Sequence, residues 1–281
     1  MLDSKITKKI NDFIYLKPRT VQEVANLISK NWRTADRYVD SISKEKGNIS
    51  VRTFRGGTRG ALKIVYWNNI EKIHSSEFQE KLLKKIERSK KMDFSPFDIY
   101  QYVDDAKRNA KMINVKNEKV KDVLKDYLES AQKQVLSFSG NLSWINLDEG
   151  GKKITDLLEE MAKNNVSIKI LTRVTIDSMK NIKKVLEINE KLGKNLIEIR
   201  HREHPLRGFI IDDNKARFRE MKDPTEYAKG ELDDYILLFY EIYDPEWIEW
   251  LQKMFWYFFR TGISAEKRMK DLESIHNIYK I

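Results

Sequence analysis

Over positions 1–70, apolar side chains recur at three and four, then switch to runs. Ile6, Ile10, Phe13 and Ile14 share one helical face, and Pro18 stops that helix in Lys17-Pro18-Arg19. Thr20-Val21-Gln22-Glu23 is a capping box, placing a hydroxyl and a carboxylate where the first backbone N–H groups of a helix need partners. Val21, Val24, Ala25 and Ile28 supply that second helix with its apolar face. After the polar turn Ser29-Lys30-Asn31, Trp32, Ala35, Val39 and Ile42 point inward on a third helix, leaving Arg33, Thr34, Arg37 and Ser41 outward. Gly47-Asn48 ends it. Two β-rich runs follow, 49–54 and 61–67, joined by Arg55-Gly56-Gly57-Thr58-Arg59-Gly60 as a hairpin.

Further on, Ile70, Ile73, Phe78, Leu82, Leu83 and Ile86 line one face, and Phe94-Ser95-Pro96 breaks the pattern, so a linker helix and a hinge are expected. The stripe is too short to show sustained heptads and buries either against a twin or against its own chain. Residues 99–115 read as another helix. From Val120 onward helical and strand periods alternate: helices over 120–131, 154–162 and 176–186, strands over 135–138, 166–171, 196–200, 206–211, 215–219 and 235–242, then a final amphipathic helix. The alternation predicts a central, partly parallel sheet with helices on its faces. The expected organisation is a multidomain α/β chain: residues 1–70, a helical linker over 71–117, and an α/β domain over 118–281.

Charge separates the two ends. Of a formal +10, positions 1–70 carry fourteen Lys/Arg against six Asp/Glu. The chain has no cysteine, which removes thiolate metal sites, disulfides and a cysteine nucleophile. No apolar run is long enough to span a bilayer and no leader pattern opens the chain, so a cytoplasmic, nucleoid-associated protein without membrane contact is expected, with no metal or cofactor. A basic helix exposing Arg33, Thr34 and Arg37 suits a major groove, and Arg55 and Arg59 on a glycine-rich tip suit phosphates or the minor groove. Lys30, Asn31 and Ser41 complete the candidate DNA-binding set. The bland alternative is a basic surface that binds nothing, or a protein-docking module. Residues 20–42 and 49–67 resemble the winged helix-turn-helix domains of archaeal and bacterial transcription regulators, which implies double-stranded DNA as partner.

The most chemical stretch is 200–213, containing His201, His204, Arg207, Asp212 and Asp213. It resembles the HxKxxxxD signature of the phospholipase D superfamily, whose His attacks a phosphodiester while a Lys holds the phosphate and an Asp orients the site. Counted from His204, Leu206 stands at the Lys position and Ile211 at the Asp position, so Arg207 and Asp212 each fall one residue late. On a strand, a slip of one turns a side chain to the opposite face. The order of elements over about 118–262, with Trp247, Leu251, Phe255, Trp256 and Phe259 on a closing helix, looks like the phospholipase D-like domain joined to winged helices in TrmB-type regulators. That resemblance implies a DNA-binding regulator whose degraded phospholipase D-like domain dimerises or senses a small-molecule effector. Two alternatives stay open: a phosphodiesterase or nuclease built on His204, Arg207 and Asp212 across a homodimer, and an interaction scaffold anchored by Trp247, Trp250, Phe255 and Trp256.

Overall fold

The computed structural model describes residues 4–46, 49–55, 61–67, 75–90, 93–115, 124–228 and 230–278. The basic end forms α1 (Ser4–Leu16), β1 (Arg19–Thr20), α2 (Val21–Ile28), α3 (Trp32–Lys46), β2 (Ile49–Arg55) and β3 (Ala61–Trp67). The capping box forms as expected: Thr20 Oγ1 accepts from Glu23 N at 3.1 Å, and Glu23 Oε2 accepts from Thr20 N at 2.7 Å. Ser29, in the left-handed region at φ 53°, closes α2 and turns the chain into α3. The sheet order is β1-β3-β2, antiparallel throughout. Ile10, Ile14, Val24, Ala25, Ala35, Val39, Ile49 and Val65 make its core, so this end is a winged helix.

The second half is built on an eight-stranded mixed sheet ordered β13-β9-β8-β5-β10-β11-β12-β4. Its members are β4 (Arg108–Asn114), β5 (Gln134–Phe138), β8 (Ser167–Thr172), β9 (Ile197–His201), β10 (Gly208–Ile211), β11 (Lys215–Lys222), β12 (Ile236–Ile242) and β13 (Ile263–Ser264); a two-residue pair, β6 (Asp148–Glu149) and β7 (Lys152–Lys153), stands apart. β5, β8 and β9 run parallel through the crossover helices α7 (Ile154–Lys163) and α8 (Ile176–Leu192), and the remaining pairings are antiparallel. Alternation along the strands feeds two layers. Val135, Ile168, Ile170, Ile199 and Ile211 face α6 (Lys125–Glu129), α7, α8 and α10 (Ala265–Ile278). Leu136, Phe138, Ile210 and Phe218 face α9 (Pro245–Thr261), whose Leu251, Phe255, Phe258 and Phe259 are buried on them. The aromatic helix is therefore core, and Trp247 and Phe255, considered as anchors for a partner, are buried in it; Trp250 and Trp256 are half-buried at its flank.

Two expectations for the connecting stretch fail, and one open alternative is decided. Residues 99–115 are mostly not helical: after the one-turn α5 (Phe97–Tyr100) the chain forms β4, an edge strand paired with β12 from Arg108↔Ile242 to Asn114↔Ile236. Its alternating half-buried and exposed positions explain the error, because Ala110 and Ile113 satisfy a three-residue spacing by coincidence. Phe94-Ser95-Pro96 is no hinge, since Phe94 and Pro96 are buried. Of the expected stripe, Ile70 and Ile73 lie outside the described residues; on α4 (Ser75–Arg88) it is covered by its own chain, with Leu82 and Ile86 packed beside Phe94, Ile99 and α9.

The winged helix docks on this sheet through its hairpin. Ile49, Val51 and Val65 face the helices, whereas Phe54, Leu62, Ile64 and Tyr66 point the other way and are buried against Phe97, Tyr100, Ile236, Leu238 and Tyr240. Tyr66 meets Phe97 edge-on at 5.2 Å, and Arg108 lies over the Tyr100 ring at 4.7 Å while donating to Tyr100 O and to Tyr66 Oη. Gln22 N–H, at the start of α2, donates to Glu231 Oε1 at 3.2 Å. Burying four such side chains contributes about 1.5–3 kcal/mol each, enough to make the two halves one cooperative unit. Leu62→Asp places an unpaired charge in this junction and spares the winged helix's own core. Calorimetry of that variant is expected to resolve two transitions where the wild type shows one; a single transition at an unchanged temperature is the contrary result.

Candidate nucleic-acid interface and the displaced motif

α3 packs against α2 and β2, and its inward face is buried through Ala35, Val39 and Ile42. Its outward face carries the expected residues. Lys30, Asn31, Arg33 and Arg37 are exposed, Thr34 and Ser41 half-buried. Asn31 caps the helix, its Oδ1 accepting from Thr34 N at 2.9 Å. Among the described residues no carboxylate pairs with Lys30, Arg33 or Arg37. Asp36, which could have neutralised Arg37, is instead held by Lys63 of β3 at 2.7 Å, and Lys63 in turn lies over the Trp32 ring. Among the described residues, Lys30, Arg33 and Arg37 therefore offer positive charge without a carboxylate partner, at a helix that also carries the exposed Asp40. Arg59 and the rest of the hairpin tip lie outside the described residues, as does the side chain of Arg55. On the described flanks of the hairpin, Phe54, Leu62, Ile64 and Tyr66 are committed to packing.

The residues of the displaced motif do not converge. β10 begins at Gly208 rather than 206, so His204 and Arg207 lie in the loop before it and strand parity does not govern them. His204 turns into the core, edge-on to Phe138 at 5.4 Å, with Nε2 3.3 Å from Leu171 O. Burial, followed by the charge of Arg207, pushes its pKa down to about 3, so the ring is neutral and its Nε2 is directed at a carbonyl. Asp212 sits past the opposite end of β10 in the left-handed region, φ 49°. Its carboxylate accepts from Gln132 N at 3.0 Å and from Lys133 N and Gln134 N at 2.8 Å. Burial alone would raise its pKa, but those three N–H groups hold it below the ordinary carboxylate value. Asp212 is a clamp on the start of β5. Arg207 alone faces solvent-accessible space, stacked over Gly140.

No family model matches the chain, and no curated protein does either. Solved structures do. The chain is similar to TrmBL2, an archaeal chromatin protein. The match is 17% identical over 92% of this chain and 93% of that one, with a TM-score of 0.40, and TrmBL2 is described as showing a novel mode of DNA binding. Over 56% of this chain it is also similar to two further solved structures: Nuc of Salmonella typhimurium, described as a phospholipase D family member (11% identity, 97% of that chain, TM-score 0.39), and NucT of Helicobacter pylori (14%, 99%, 0.39). With scores this low, the functional reading rests on this chain's own residues. Among the described residues no helix is long and apolar enough to cross a membrane, and no cluster of His, Asp and Glu could hold a metal ion.

The roles found for His204 and Asp212 make separable predictions. Between pH 6.5 and about 3 the unfolded chain binds a proton at His204 that the native chain refuses, so stability falls as pH drops through that window. In His204→Leu the slope of unfolding free energy against pH should flatten there by up to about 1.4 kcal/mol per unit; an unaltered slope would show that the ring ionises normally. Asp212→Ala loses three charge-assisted bonds and is expected to cost about 3 kcal/mol by urea denaturation, with Asp212→Asn costing less.

Proposed function

We propose that this protein is a DNA-binding transcriptional regulator in which the winged helix contacts duplex DNA and the phospholipase D-like half supplies dimerisation and ligand sensing. The observation that carries this reading is the outward face of α3: Arg33 and Arg37 are exposed and, among the described residues, without a carboxylate partner, one turn apart, on a helix whose opposite face is anchored in a core. That geometry suits a helix entering a major groove, with Lys30 and the Asn31-capped N-terminus near the phosphates and Thr34 between the arginines. The near-neutral remainder of the chain confines the electrostatic footprint to this end. As a homodimer, two such helices would double the phosphate contacts. A phosphodiesterase on His204, Arg207 and Asp212 gains no support from the geometry, because His204 and Asp212 lie at opposite ends of β10.

Fluorescence anisotropy with a labelled duplex across a salt series tests the proposal. The wild type should bind with an affinity that falls steeply with salt. Arg33→Ala and Arg37→Ala should each weaken it: by about 1–3 kcal/mol if the arginine reads a base, or with a salt slope flatter by about one if it contacts phosphate. A double variant that binds as tightly as the wild type would falsify the assignment of α3.

A further inference from the structure

Within residues 32–41 of α3 the two arginines, Arg33 and Arg37, are matched in number by two aspartates, Asp36 and Asp40. Taken alone that stretch has no net charge, and a neutral helix is a poor match for a phosphate backbone. Asp36 stands three positions after Arg33, the spacing at which a carboxylate and a guanidinium on one helix meet. The fold turns Asp36 elsewhere. Lys63 of β3 donates to both of its carboxylate oxygens, each at 2.7 Å, and the same ammonium lies 5.2 Å from the centre of the Trp32 ring, one turn earlier on α3.

Lys63 reaches α3 because strand side chains alternate. Leu62, Ile64 and Tyr66 are buried against the second half, whereas Val65 points into the core of the winged helix, and Lys63 shares the face of Val65. The junction thus fixes β3 from behind and carries the ammonium to a set place beside α3. There the Lys63 and Asp36 side chains are 23% and 22% exposed, so the pair is shielded from water without being stripped of it. The Trp32 ring offers the ammonium a second attraction, which confines the lysine beside the carboxylate. Asp36 is therefore neutralised by a group from another element, and the arginines of α3 keep their charge.

We propose that Lys63 is a positioning residue for duplex DNA: without touching the duplex, it holds Asp36 and so removes from α3 a negative charge that would draw in Arg33 and repel phosphates. This role rests on the function proposed above, in which α3 is the helix that meets DNA.

The test is a double-mutant cycle on the full chain, read by fluorescence anisotropy with the labelled duplex across a salt series. Lys63→Gln should weaken binding about three- to tenfold at low salt, and the gap should narrow as salt screens the released carboxylate. Asp36→Asn should bind at least as tightly as the wild type. Asp36→Asn/Lys63→Gln should recover the affinity that Lys63→Gln loses, and Lys63→Arg should stay near the wild type, with circular dichroism unchanged throughout. Asp36→Asn keeps the test decisive even where Lys63→Gln loses its fold. A loss from Lys63→Gln that is as large in the Asp36→Asn background means that Lys63 contacts the duplex itself, and overturns the proposal. Weaker binding by Asp36→Asn overturns it too, because the pair is then a structural brace and nothing more. A wild type that ignores the duplex, or an Arg33→Ala/Arg37→Ala variant that binds as tightly, brings down the reading of α3 and this role with it, a failure distinct from the other two.

Discussion

Phe54, Leu62, Ile64 and Tyr66 project from one face of the β2–β3 hairpin, and water is a poor environment for all four. Their burial against Phe97, Tyr100, Ile236, Leu238 and Tyr240 is the constraint from which the rest of the architecture follows. Because the hairpin is apolar on both faces, the winged helix must sit between its own helices and a second surface. The large sheet provides that surface on the same face that α9 covers further along: Ile236, Leu238, Tyr240 and Ile242 alternate along β12, with Ile242 under α9 and the others under the hairpin.

This docking sets the place of α3 and of Lys63 together. The junction holds the hairpin flanks and the start of α2 inward, so the outward face of α3 is left to solvent. It also fixes Leu62 and Ile64 on either side of Lys63, which meets α3 from the other face of β3. Aromatic contacts, the Arg108 fork and the Gln22–Glu231 hydrogen bond make the relative position of the halves specific rather than merely adhesive. A change at the junction therefore has a packed route to the helix that carries the basic face.

Much of this was legible along the chain. The capping box at Thr20, the three-four spacing of α3, and the helix–strand alternation after Val120 are local signals, and most of these elements formed near where their periodicity pointed; of the helix expected over 120–131, residues 120–123 lie outside the described residues and the rest is helical over Lys125–Glu129, and the strand expected from 206 begins at Gly208. β4 was misread because an edge strand with half-buried alternation also satisfies a helical spacing over a few residues. The C-terminal α10 escaped notice because it is mostly polar and, among the described residues, joins the core through Ala265, Met269 and Leu272. The docking of the hairpin had a usable sign in the sequence: a wing exposed to solvent on one face would not carry Phe54, Leu62, Ile64 and Tyr66 together.

What the sequence by itself determined is most of the helices and strands, the concentration of positive charge over positions 1–70, and the one-residue displacement of the motif around His204. These depend on neighbours a few positions away. Tertiary structure alone decided that α4 buries its stripe at home, that Asp36 answers Lys63 instead of Arg37, and that Asp212 clamps β5. Lys63 and Asp36 stand 27 positions apart in the chain. The reason is physical: pairing and charge compensation depend on distance in space, and strand order and crossover connections set that distance where sequence separation does not.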